Sequence, residues 1–170
     1  MTVTVSTGER REFLLRAATI DDVPLILRGI RALAEYERLA HECVATEMQL
    51  RDTLFGASPV AEVVLASCGD APAGYALWFR SYSTFLARPG IYLEDLFVYP
   101  EFRGRGLGRA LLVHLARIAV ERGYGRMEWA VLDWNENAMR FYRSLGAAPV
   151  DGWTICRLAG AALPALAEGA

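Results

Sequence analysis

The chain is poor in the residues that would tie it to a metal, a disulfide framework or a membrane. Its 170 residues hold only three cysteines, Cys43, Cys68 and Cys156, odd in number and scattered. Without paired spacing they read as free thiols and not as zinc ligands or disulfide partners. The two histidines, His41 and His114, are given no role; His114 has no ligand partner at helical spacing, and no metal site is expected. No apolar run approaches the roughly 18 residues of a membrane span. Met1 to Arg11 is polar, with Glu9, Arg10 and Arg11, where a signal segment would be apolar. An excess of positive charge is also missing. A net charge of −2 and a pI near 5.7 give no global basic field for a nucleic acid. What remains is a cytoplasmic protein with neither membrane nor nucleic acid as its main partner. Its hydrophobic content of 54% is enough for the core of one domain.

What is present concentrates between Ile91 and Leu112, in I-Y-L-E-D-L-F-V-Y-P-E-F-R-G-R-G-L-G-R-A-L-L. Ile91 to Tyr99 is apolar, aromatic or β-branched but for Glu94 and Asp95, the pattern of a buried strand. From Leu107 the apolar residues fall at Leu107, Leu111, Leu115 and Ile118, the spacing of one helical face. Pro100 ends the strand, and Gly104, Gly106 and Gly108 form the turn. A helix N-terminus carries unpaired N–H groups and a partial positive charge, and glycines let an anion approach that backbone. Arg103, Arg105 and Arg109 add fixed charge. The stretch therefore predicts a phosphate or pyrophosphate site, against the plainer reading of a glycine-rich connection with solvated arginines. The spacing matches neither G-x-x-x-x-G-K-[ST] nor a dinucleotide fingerprint with its later ribose-binding carboxylate.

Periodicity places the other elements. Residues 1–11 lack periodicity and read as a loose, flexible lead-in. Glu12 to Ala18 is a first strand. Thr19 or Asp21 caps a helix that carries Val23, Leu25, Ile26, Ile30 and Leu33 and ends near Tyr36. A shorter helix starts at Thr46, with Met48, Leu50 and Leu54 on its inner side. Val60 to Ser67 and Ala73 to Tyr82 are strands joined by the turn Cys68 to Pro72. After the central stretch come a strand from Arg126 to Leu132, a helix from Asn135 to Leu145 stopped by Gly146, and a strand from Trp153 to Leu158. The order β-α-α-β-β-β-α-β-α-β predicts a single α/β domain over 12–160, with residues 161–170 as a weakly specified tail.

The run Arg103-Gly104-Arg105-Gly106-Leu107-Gly108 resembles the [QR]-x-x-G-x-[GA] element of the GNAT acetyltransferases. Asp133-Trp134-Asn135 through Phe141-Tyr142 is similar to W-N-x-x-[AS]-x-x-F-Y of the same family. With Tyr92-Leu93-Glu94-Asp95, Leu33-Ala34-Glu35-Tyr36-Glu37 and Gly152-Trp153, the resemblance narrows to the spermidine/spermine and thialysine N-acetyltransferase branch. It covers about Phe13 to Leu158. It implies the GNAT fold, a mixed, mostly antiparallel sheet flanked by helices. It also implies acetyl-CoA as cofactor, a small-molecule amine as acceptor and a homodimer.

The chemistry asks for particular groups. An amine with a pKa near 10 is mostly protonated at pH 7, so a base must remove a proton before it attacks a thioester. Glu94, in an apolar strand where burial would raise its pKa, is by resemblance the water-mediated base; its structural alternative is an ion pair with an arginine near the sheet. Asp95 points the other way on a regular strand, unless a bulge intervenes, and reads as partner for a second ammonium. Tyr142 is by resemblance the general acid for the CoA thiolate. The N–H groups of Phe97 and Val98 are read as binding the thioester oxygen and pantetheine. Asn135 caps its helix and by resemblance contacts the pantetheine arm. The family's pyrophosphate turn corresponds to Arg103 through Arg109. Tyr36 and Glu37 match positions lining a polyamine channel, and Trp153 offers an aromatic face to an ammonium. Two departures stand out. Phe85 replaces a tryptophan and is shifted by one position, and Arg88 would repel a long polyamine, which brings diamines and lysine analogues forward. The alternatives are acetylation of a protein N-terminus or lysine, and a non-catalytic acyl-CoA-binding module.

Overall fold

Alternating apolar residues pair six strands into one sheet, in the order β1 (Thr2–Thr7), β2 (Arg11–Ala17), β3 (Glu62–Cys68), β4 (Ala71–Ser83), β5 (Arg88–Val98) and β6 (Met127–Trp129). Neighbours are antiparallel except β5 and β6, which are parallel and joined through a helix. The computed structural model describes residues 2–7 and 11–169, and its contacts form two compact units, Met1–Ala130 and Val131–Ala170. The sheet belongs to the first unit, with helices α1 (Val23–Tyr36), α2 (Glu47–Phe55) and α3 (Leu107–Glu121). The second holds α4 (Glu136–Ser144) and α5 (Ala162–Ala167).

Residues facing each other across a ladder share a face of the sheet. Val63 with Leu77, Leu65 with Tyr75 and Tyr75 with Phe97 form one buried face, which packs on Val23, Ile26 and Leu27 of α1 and Leu50 and Leu54 of α2. The alternate residues, including Val64, Ala76, Trp78 and Leu93, turn to the other face. There α3 buries Leu107, Leu111 and Leu115, and Arg122 at its C-terminal end stands 5.1 Å over the Trp78 ring. His114, on the same helix, is buried.

The entry to α1 is held by charge. Thr19 precedes a 3-10 turn at Ile20–Asp22, and Asp22 accepts from the Thr19 N–H at 2.8 Å. Arg16 of β2 grips both Asp22 oxygens at 2.6 and 2.7 Å and holds that carboxyl at about 2, below its ordinary 3.8. A lowered folded pKa contributes stability that is full above pH 4 and lost as the pH falls toward 2. Because Arg16 is 38% exposed, water screens the pair. We expect Asp22→Asn to cost about 1–2 kcal/mol at pH 7 and almost nothing near pH 2, as read by urea unfolding across that range.

Four expectations are corrected. Residues 2–7, read as a lead-in, form β1: Thr-Val alternation suits an edge strand, and Thr2 to Thr7 pair with Arg16 to Arg11. The strand expected over Arg126 to Leu132 shrinks to β6, because β5 departs from regular geometry after Leu93 and offers it no longer ladder. Trp153 to Leu158 is not a strand. Its alternation has no ladder partner among the described residues, and Trp153 is 79% exposed. Met48, expected inside α2, is 72% exposed, since Leu50 and Leu54 alone span the buried side of that short helix. By contrast, Thr46 caps α2 as expected, accepting from the Gln49 N–H at 3.3 Å.

Candidate active site

The decisive feature is a bulge in β5. Trp78 of β4 faces Leu93 and Leu77 faces Asp95, so Glu94 has no partner and the register slips by one. On an unbroken strand Leu93 and Asp95 would share a face. Here Leu93 stays on the α3 side opposite Trp78, whereas Asp95 joins the α1 side opposite Leu77. Main-chain bonds carry the same signature. The Ile91 N–H donates outward to Arg126 O and the Tyr99 N–H inward to Ala73 O, both at 3.0 Å, although regular alternation would send them to the same side.

The bulge separates the environments of two adjacent carboxylates. Glu94, expected to be buried, is exposed. Burial falls on Asp95 instead and pushes its carboxyl up to about 6, against the opposing pull of a hydrogen bond from the Tyr75 hydroxyl at 2.8 Å. Glu94 and Glu37 add like charge in the same direction. Glu37, just past the end of α1, is itself raised by burial. Between about pH 4 and pH 6 folded Asp95 holds a proton that the unfolded chain releases. Asp95 therefore weakens the fold as pH rises through that window and carries its full charge only above it. Three carboxylates that act on one another in this way are able to pair with a cation.

Tyr36 is the last residue of α1. The Arg103 guanidinium stands 4.6 Å over its ring and 5.6 Å over that of Phe97, while Arg103 Nε donates to Val98 O at 2.9 Å. Arg103 thus caps the end of β5, a role that the spacing of the glycine turn did not indicate. Arg105 packs 5.9 Å over Phe102, and Arg109 is exposed on α3. Arg88 lies at the hairpin tip opposite Ser83, seven residues along β5 from Asp95, or roughly 20 Å at strand rise. Its expected repulsion of a cationic substrate loses its ground.

β5 pairs with β6 only as far as Leu93, and beyond it the outer edge has no strand partner among the described residues. Alternation from Tyr99 turns the Phe97 N–H inward to Tyr75 and leaves the N–H groups of Val98 and Leu96 at the open edge. Of the two expected donors, Val98 is therefore at the edge and Phe97 is in the ladder. Leu96 was missed, and strand parity was the signal that would have found it.

Next comes the turn. Gly104 and Gly106 take φ of +72° and +78°, whereas Gly108 is already inside α3. Leu107 is buried and anchors the start of the helix. Ala110 makes the first intrahelical bond, to Gly106 O at 3.0 Å, so the N–H groups of Leu107, Gly108 and Arg109 have no acceptor within the helix. A Cβ built on Gly104 would meet nothing within 4 Å. An open, electropositive cradle of this kind fits a pyrophosphate.

Asn135, Tyr142 and Trp153 belong to the second unit. Asn135 caps α4, its Oδ1 accepting from the Ala138 N–H at 3.1 Å. Tyr142 is half-buried in the last turns of that helix, 5.3 Å from the Phe141 ring. Gly146 follows with its N–H on Arg143 O.

Known proteins are similar to this chain in sequence and fold. Residues 30–147 match the profile of the Acetyltransferase (GNAT) family. A thialysine N-epsilon-acetyltransferase of Bos taurus is 39% identical, over 91% of this chain and 96% of its own length. An L-ornithine N5-acetyltransferase of Arabidopsis thaliana is 35% identical, over 96% of this chain and 91% of its own. Among solved structures, an integron cassette protein from the mobile metagenome of V. cholerae superposes with a TM-score of 0.75 at 26% identity, covering 92% of this chain and 98% of that one.

Proposed function

The chain belongs to the acetyltransferase (GNAT) family and is an acetyl-CoA-dependent N-acetyltransferase; we propose that its acceptor is a small diamine or diamino acid of the ornithine, thialysine and polyamine type. The observation that carries this reading is the pair of unlike carboxylates at the bulge, backed by Glu37 and followed directly by the anion cradle.

Acetyl-CoA, when bound, supplies the activated acetyl thioester. The groups of the first unit that would hold it are the N–H donors at the start of α3, the Gly104–Gly106 turn and the open edge at Leu96 and Val98; for Asn135 the family resemblance implies a contact with the pantetheine arm. Asp95 and Glu37 hold the acceptor's ammonium. Glu94, exposed to water, takes the proton that the attacking amine must lose and passes it to solvent. Tyr142 donates a proton to the departing thiolate sulfur, and Trp153 covers an ammonium; both roles rest on the family resemblance. The free thiols Cys43, Cys68 and Cys156 suit a reducing cytoplasm. No described helix is long and apolar enough to cross a membrane. A homodimer follows from the resemblance, and light scattering of the native particle tests it.

The deciding experiment measures CoA release from acetyl-CoA with ornithine, thialysine, lysine, putrescine, spermidine, spermine and N-terminal peptides. Turnover confined to one or more small diamines supports the proposal. Turnover on peptides alone would move the acceptor to proteins, and acetyl-CoA binding without any turnover would leave an acyl-CoA-binding module.

A further inference from the structure

Tyr75 is a tyrosine in a place that asks only for a phenylalanine. It is 2% exposed and packed in the apolar cluster of α1, α2 and the sheet. A hydroxyl buried there must find an acceptor, and it finds Asp95 Oδ2 at 2.8 Å. The ring is seated by a second unusual choice, Gly29 in the interior of α1. A Cβ at Gly29 would stand 2.7 Å from Tyr75 Cε1 and 2.8 Å from Cδ1. Glycine is the least favoured helix-interior residue after proline, yet any side chain here would displace the ring. The notch in α1, the tyrosine on β4 and the bulge in β5 thus converge on one carboxylate.

We infer that Tyr75 is a positioning residue for amine capture: seated by the Gly29 notch, its hydroxyl occupies Asp95 Oδ2 and leaves Oδ1 oriented to take the acceptor's ammonium. This deepens the proposed function and rests on it. The hydrogen bond favours the charged form of Asp95. It therefore enlarges the share of this half-buried carboxyl that is ionised at neutral pH and able to pair with a cation. The other groups facing the pair are Glu94 beside Asp95, Glu37 at the end of α1, and Tyr99 beyond β5. Arg28 of α1 acts on Tyr99, and Arg103 stands over Phe97. From α2 and β3 the facing residues are apolar.

Tyr75→Phe keeps the ring and removes only the bond. In this variant the acidic limb of kcat/KM for the amine should move up by about one pH unit. The amine KM at pH 6 to 6.5 should rise about three- to fivefold, with kcat at saturation and the KM for acetyl-CoA unchanged. Gly29→Ala keeps the hydroxyl but displaces the ring, and should shift the limb the same way. A profile that superimposes on wild type would overturn the inference. As a readout independent of turnover, 13C NMR of the Asp95 carboxyl, identified by its loss in Asp95→Asn, should titrate about one unit higher in Tyr75→Phe. A titration that moves while the amine KM does not would make the bond merely structural and also overturn it. Wild-type protein that acetylates no amine would sink the acceptor reading and the inference with it. That failure shows in the wild-type protein alone, before any variant is compared.

Discussion

Glu94→Gln lowers kcat by about 100- to 10,000-fold while leaving the affinity for acetyl-CoA unchanged. An amine with a pKa near 10 is neutral in only about one molecule in a thousand at pH 7, so the enzyme needs a group that accepts protons and returns them to water. Asp95 is badly placed for that exchange, being half-buried and already bonded to Tyr75. Glu94, lifted out of the ladder by the bulge, is exposed and one residue away. Removing it takes the proton's exit and leaves the ammonium's seat. The defect should narrow as pH is raised toward the amine's own pKa, because the nucleophile then arrives neutral. Stopped-flow CoA release from pH 7 to 10 reads both effects. If Glu94→Gln raised only the amine KM and Asp95→Asn carried the loss of kcat, the two roles would be reversed.

Gly106→Val raises the Kd for acetyl-CoA by about 100-fold, or about 2.7 kcal/mol. Gly106 takes φ of +78° at the N-cap of α3, a left-handed conformation that costs an L side chain about 1–2 kcal/mol, and a β-branched one more. The turn relieves that strain by rotating, and the rotation carries the N–H groups of Leu107, Gly108 and Arg109 out of the arrangement proposed to hold the pyrophosphate. Gly108→Ala is the control. Gly108 lies within α3, so its effect reports only the room the ligand needs. Isothermal titration with CoA measures both variants; a Gly106→Val protein that binds CoA like wild type would remove the turn from the cofactor site.

Much of this was written in local patterns. The strand, the glycine turn and the helix from Ile91 to Leu112 announce themselves because each depends on neighbours in the chain. A near-continuous apolar run gives way to an apolar period of about four, Pro100 ends the ladder, and glycines stand where φ turns positive. The cap at Thr46, the cap at Asn135 and the stop at Gly146 are local in the same sense. Trp153 to Leu158 shows the limit of such patterns. Its apolar residues Trp153, Ile155 and Leu158 suggest a strand, but a strand exists only where another chain segment offers it hydrogen bonds.

The sequence by itself determined the family, the cradle and the presence of two acidic residues at Glu94 and Asp95, since motif and charge are properties of residues in order. Only the tertiary structure decided which carboxylate is drawn in from solvent and which is left exposed. A one-residue slip between β4 and β5 reverses every side chain beyond it. That slip depends on how Leu77 and Trp78 pack against opposite helical layers, which no window along the chain contains. The seat of Tyr75 against Gly29 was hidden for the same reason. A glycine in a helix and a tyrosine in a strand have meaning for the site only once α1 lies across the sheet.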